Sequence, residues 1–251
     1  MTALELDHLS KRFGGVDAVM DLSMAIAAGC VTGLIGPNGA GKTTVVNIVT
    51  GILSRSGGGI RLATRDLSGL KSHDVARCGI ARTFQNVQLL RDASVLDNIV
   101  IGFHRHVTSS LFANLVGLPS VWRERAVFRA RAMALLERFG MTEFAETRAG
   151  ALSYGHQRRV EIMRALALAP SFLLLDEPVA GMNDVEALEI GQAVRQLAKE
   201  GIGILVIEHN MRFVMQTCET IYVLDGGRLI ASGSPASVSI DPAVITAYLG
   251  S

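Results

Sequence analysis

Residues 36–44 read Gly36-Pro37-Asn38-Gly39-Ala40-Gly41-Lys42-Thr43-Thr44. They fit G-x-x-x-x-G-K-[ST] at every fixed position, a pattern whose backbone cradles phosphates. Ahead of it, Cys30–Ile35 reads as a short buried strand, and Thr43–Val49 behind it reads as the start of a helix. A strand, a Gly-rich loop and a helix in that order are the setting in which this motif works. The glycines let the backbone approach an anion, and the N–H groups of the loop and helix start face it. Lys42 supplies a mobile cation for the β- and γ-phosphates, and the Thr43 hydroxyl suits Mg²⁺, which prefers oxygen ligands. A nucleoside triphosphate is the expected ligand.

The chain has 251 residues, 49% of them apolar and 19% charged, against about a quarter charged in ordinary domains. That composition predicts extra apolar surface covered by a partner. The net charge is +1, from 24 basic and 23 acidic residues without a Lys/Arg block, which argues against nucleic-acid binding. Cys30, Cys78 and Cys218 lack metal-ligand spacing and fit a reducing compartment. Met1–Asp7 does not read as a signal peptide, and no run is long enough to span a membrane. A cytoplasmic protein is expected, held to a membrane through another chain if at all.

Leu4 and Leu6, then Leu22, Met24 and Ile26, alternate with polar or small neighbours and predict half-buried antiparallel strands. Residues 58–66 read as one further strand. Between 86 and 150 the chain turns rich in Arg, Ala and Leu, and Arg123–Phe139 has helical spacing through Val127, Ala130, Ala134 and Leu135. This stretch predicts a helical insertion. A helix is expected over 155–169, stopped by Pro170, with Arg158 and Arg159 as surface charges. Phe172–Leu175 and Gly203–Ile207 read as strands of a parallel sheet covered on both faces. Asn183-Asp184 caps a helix running to Lys199, Asp225-Gly226-Gly227 turns a hairpin, and Pro242–Leu249 reads as a helix.

Acids at the carboxyl end of a buried strand face the crevice where α/β sheets bind ligands. Asp176 is there placed to hold Mg²⁺, directly or through water, and Glu177 to orient or deprotonate an attacking water. His209 follows the strand 203–207 and is placed for a γ-phosphate contact. Gln85 stands where the core gives way to the helical stretch, suited to a Mg²⁺ or water contact that moves. Ser153 opens the helix 155–169, either as an ordinary cap or as the start of an anion-receiving N-terminus.

Taken in order, these segments resemble the ATP-binding-cassette ATPases along the whole of residues 1–251. Gln85 matches the family's Q-loop, Leu152-Ser153-Tyr154-Gly155-His156 its signature, Phe172–Glu177 its Walker B strand, His209 its switch histidine and Phe13 its adenine-stacking aromatic. The resemblance implies an α/β fold: a P-loop NTPase core with a mostly parallel sheet, an N-terminal antiparallel β subdomain and an inserted α-helical subdomain. It divides one domain into a core of 1–86 and 166–251 and an insertion of 87–165 that carries the signature. It implies ATP and Mg²⁺ as ligands, held by Phe13, residues 36–44, Gln85 and Asp176. It also implies a head-to-tail dimer in which Ser153 and Gly155 of one cassette cap the γ-phosphate held by the other.

Within the family, Arg12-Phe13-Gly14-Gly15, Arg82-Thr83-Phe84-Gln85-Asn86, Ala180-Gly181-Met182-Asn183, Ile207-Glu208-His209-Asn210-Met211 and Ala247-Tyr248-Leu249-Gly250 are similar to the ATPase subunits of branched-chain amino acid importers. Urea importers and the lipopolysaccharide exporter's ATPase carry similar motifs. The implied partners are an identical or paralogous cassette, two permease subunits and, indirectly, a periplasmic or extracellular binding protein. The implied location is the inner face of the cell membrane. Tyr154, His156 and Asn183 depart from the commoner Gly, Gln and Asp. A soluble DNA or ribosome ATPase of this superfamily is disfavoured by the single cassette and the absence of sustained heptads. A small-molecule kinase or GTPase leaves Ser153 and His209 unexplained.

Overall fold

The computed structural model describes residues 2–83, 87–107 and 119–249. In chain order the elements are β1 (Ala3–Phe13), β2 (Val16–Ala27), β3 (Val31–Ile35), α1 (Lys42–Val49), β4 (Gly57–Leu62), β5 (Arg65–Asp66), α2 (Ser72–Arg77) and β6 (Ile80–Arg82). Then come α3 (Val95–Gly102), α4 (Pro119–Arg138), α5 (Tyr154–Leu166), β7 (Phe172–Asp176), α6 (Asp184–Lys199), β8 (Gly203–Ile207), α7 (Met211–Thr217), β9 (Thr220–Asp225), β10 (Arg228–Gly233), α8 (Pro235–Ser239) and α9 (Pro242–Leu249). They form two compact units, one of Met1–Arg82 with Ser171–Ser251, the other of Thr83–Pro170.

The first unit holds two sheets. One is antiparallel, in the order β2-β1-β4-β5; the other runs β10-β9-β3-β8-β7-β6, parallel except for the β10 edge. β3, β7 and β8 are buried at every residue, as covered parallel strands require. Leu4, Leu6, Leu22 and Ile26 of the antiparallel sheet share a core with Val45 and Val49 of α1 and Leu34 of β3. The apolar alternation of β1 and β2 is therefore the inner face of a sheet laid over the phosphate-loop helix. Burial and the charge of Glu219 push the Cys218 thiol up to about 12, so this cysteine is a packed apolar group.

Residues 58–66 are not one strand. The chain reverses at Ala63, where φ is 52°, and β5 pairs back on β4.

In the second unit, α3 packs against α4 and α5. The buried stripe of α4 is Val121, Phe128, Ala132 and Leu136, whereas Val127, Ala130 and Ala134 face solvent. Large side chains set the face, and alanines, which gain little on burial, do not. Phe128 stacks on Phe103 with centroids 5.3 Å apart. α5 ends at Leu166, ahead of Pro170, because Ala169 turns to a φ of 51°. Arg158 is no surface charge: it is 1% exposed and donates to Glu161 Oε2 at 2.7 Å across one helical turn. Arg159 is half-buried.

Candidate active site

β3 delivers the chain into the phosphate loop at Gly36, whose φ is 145°. A Cβ there would lie 2.0 Å from the Leu224 carbonyl oxygen of β9, and one on Gly41 (φ 100°) would lie 2.4 Å from the Ala18 oxygen of β2. The loop is thus threaded between two strands that leave no room for a side chain. It is pinned further by Gly227 N–H donating to the Ala40 carbonyl at 3.1 Å. Gly41 is the N-cap of α1, so the first N–H groups of that helix have no partner within it. Asn38, Gly39 and Thr43 are exposed, while Pro37 and Thr44 are half-buried. The Lys42 ammonium donates to the carbonyls of Gly36 at 2.7 Å and Pro37 at 2.9 Å. Burial depresses it below the usual lysine range, opposed by the charges of Glu177 and Asp176.

The sheet register brings the acids to the loop. β8 lies between β3 and β7, with Ile207 opposite both Leu34 and Asp176. Glu177, the residue after Asp176, is in the left-handed region (φ 50°) and donates its N–H to the Ile207 carbonyl at 2.9 Å. That turn aims its carboxylate toward His209, whose Nδ1 lies 3.8 Å from Glu177 Oε1. The His209 side chain is 64% exposed and so is accessible to a ligand. Lys42, Asp176, Glu177 and His209 therefore meet at the carboxyl ends of three neighbouring strands, as ligand sites of α/β sheets do.

Two charged residues of this region have partners that the sequence does not announce. Arg82, at the end of β6, donates to Asn47 Oδ1 at 2.7 Å and Thr50 Oγ1 at 3.3 Å on α1, and to Asp176 Oδ2 at 3.3 Å. Glu208 is buried and accepts N–H groups from Val179, His209 and Asn210. A charge at the end of a buried strand was the available hint in both cases, since such a charge needs a partner.

Phe13 closes β1 opposite Val16, on the hairpin whose Ala18 approaches Gly41. It is 47% exposed, with the Lys11 ammonium 4.9 Å from its ring centroid. Gln85 lies outside the described residues. Ser153 and Gly155 belong to the second unit. Ser153 caps α5 by accepting the His156 N–H at 3.3 Å; Gly155 is buried and Tyr154 exposed. His156 packs on Phe144 with the rings tilted by 43° and centroids 4.7 Å apart. Asn183 makes a capping box with Glu186 at the start of α6. An amide there is accounted for by that local role.

Oxygen donors at this site suit Mg²⁺. Asp176 offers a carboxylate and Thr43 a hydroxyl, and among the described residues no three His, Cys, Asp or Glu side chains gather into a cage.

The ABC transporter family model matches residues 19–180, and a model described as "Branched-chain amino acid ATP-binding cassette transporter" matches 228–251. The chain is 41% identical over 248 residues to the high-affinity branched-chain amino acid transport ATP-binding protein LivG of Escherichia coli (strain K12), covering 98% of this chain and 97% of that one. It is 36% identical over 250 residues to the lipopolysaccharide export system ATP-binding protein LptB of the same strain, covering 100% and 98%. A crystal structure of the ADP conformation of an ATP-binding cassette from an ABC transporter superposes with a TM-score of 0.86 at 31% identity, covering all of both chains. With a threaded phosphate loop, acids and histidine on adjacent strand ends, and likeness along the full length, the chain belongs to the ABC transporter family as one of its ATP-binding cassettes.

Proposed function

We propose that the chain is the ATP-hydrolysing subunit of an importer for branched-chain or other hydrophobic amino acids. The observation that carries the hydrolytic reading is the meeting of Lys42, Asp176, Glu177 and His209 at the ends of β3, β7 and β8. The cargo reading is supported by the 41% identity to LivG and by the match at residues 228–251. LptB, at 36%, supports a lipopolysaccharide export system as the second reading.

In this reading Phe13 stacks on adenine, residues 36–44 wrap the phosphates and Lys42 neutralises the β- and γ-oxygens. Asp176, Thr43 and Gln85 would hold Mg²⁺, which would supply charge neutralisation for the phosphate oxygens. Glu177 orients a water, whose oxygen attacks the γ-phosphorus as the bond to the β-bridging oxygen breaks, and takes up the proton released. His209 contacts the γ-phosphate and keeps Glu177 aligned.

Ser153 and Gly155 of a second cassette, identical or paralogous, complete the site across a head-to-tail dimer. ATP is the ligand that favours the closed dimer because the cross-dimer contacts exist only there. Closure and reopening drive two permease subunits, fed by a periplasmic or extracellular binding protein. No described helix is long and apolar enough to cross a membrane, so the cytoplasmic face is reached through those permeases.

Glu177→Gln tests this. It is expected to bind ATP normally, to hydrolyse it slower by about 10²-fold or more, and to accumulate an ATP-dependent dimer on size exclusion. Turnover at the wild-type rate would remove Glu177 from the chemistry.

A further inference from the structure

Glu208 is 1% exposed, carries a charge-bearing group into the interior, and has no part in the chemistry above. Its Oε1 accepts the Val179 N–H at 3.0 Å, and its Oε2 accepts the N–H groups of His209 at 3.0 Å and Asn210 at 3.2 Å. Val179 lies two residues beyond Glu177 on the chain leaving β7; His209 and Asn210 lie on the chain leaving β8. One carboxylate therefore ties together the two segments that carry the water-activating acid and the histidine. The tie continues outward. Met182 donates to the Val179 carbonyl at 3.1 Å, and Asn183 opens α6 directly afterwards.

Packing alone does not call for a carboxylate here. Burial pushes its carboxyl up, opposed by the three N–H groups and by His209. An apolar side chain of similar volume would avoid that cost but would leave the three N–H groups without their acceptor. What the carboxylate provides is one bond across to the Val179 segment together with two that fix the turn of its own segment at His209 and Asn210. The His209 ring also lies between the two acids, with Nδ1 3.8 Å from Glu208 Oε2 and 3.8 Å from Glu177 Oε1.

We infer that Glu208 is a positioning residue: it locks the histidine segment to the Glu177 segment, so that sensing of the γ-phosphate and alignment of the acid are one event. The inference rests on the reading of His209 as the γ-phosphate contact.

The test is the ratio of affinities of the full chain for Mg²⁺ with a non-hydrolysable ATP analogue and Mg²⁺ with ADP. His209→Ala is expected to lower that preference about tenfold, the factor one charge-assisted hydrogen bond contributes. Glu208→Gln keeps the volume but replaces one acceptor with a donor. It is expected to lower the ratio by a similar factor with ADP affinity unchanged, and to add nothing in the His209→Ala background. A wild-type ratio in Glu208→Gln, or an additive loss in the double variant, overturns the inference alone. An unaltered ratio in His209→Ala overturns the histidine reading and this inference with it. Hydrogen exchange on the wild-type chain gives a check that needs no variant to fold. The amides of Val179, His209 and Asn210 should slow together when the analogue replaces ADP, and independent responses refute the tie.

Discussion

A methyl group on Gly36 has nowhere to go, since its place is 2.0 Å from the Leu224 carbonyl oxygen, and the φ of 145° is strained for any other residue. Gly36→Ala is therefore expected to lose about 1–3 kcal/mol of stability and to weaken ATP binding. Thermal unfolding and nucleotide titration read both, and an unshifted melting temperature would contradict the close approach. The same scale shows which residues a sequence can announce. Lys42, Asp176, Glu177 and His209 are legible because each stands at a fixed offset from a glycine loop or at the end of an apolar run. Arg82 and Glu208 are not, because their partners lie on distant segments: Asn47, Thr50 and Asp176 for one, Val179 for the other.

Among the elements, α5 carries the largest departure from expectation. Its arginine at 158 reads as a solvated charge in a polar helix start, yet the helix is covered on that side and Arg158 is sealed with Glu161. Breaking a buried pair leaves an uncompensated charge, so Arg158→Ala is expected to cost about 3–5 kcal/mol, whereas replacing both partners by apolar residues of similar volume should cost far less. Chemical denaturation of the two variants decides it; equal losses would mean the charges are solvated. α4 forms where the helical spacing predicts it, but the spacing leaves its buried face open. Two interleaved apolar series fit a helical period, and only packing against α3 selects the one through Phe128. The strands of the parallel sheet are legible without such help, as continuous apolar runs between breakers.

For the molecule as a whole, the mixed α/β architecture with its antiparallel sheet follows from patterning, while the proposed cross-dimer chemistry would need a surface that no single chain completes. Ser153 caps α5 with its hydroxyl, and the proposed partner phosphate lies beyond it. Ser153→Arg is expected to leave ATP binding by the monomer within about twofold of wild type, while abolishing the ATP-dependent dimer seen by light scattering in a Glu177→Gln background. A dimer persisting in that double variant would refute the contact in trans.

β6 and β7 lie side by side and parallel, with Ile80 opposite Phe172 and Arg82 opposite Leu174. Parallel neighbours cannot be joined by a tight turn; they need a crossover, commonly a single helix. Here the crossover is the entire unit Thr83–Pro170. In topological grammar that unit is one connecting word, inserted between two strands whose pairing is already specified by the sheet. The register of the two strands therefore places no limit on the length of the insert, only on where it leaves and rejoins the sheet.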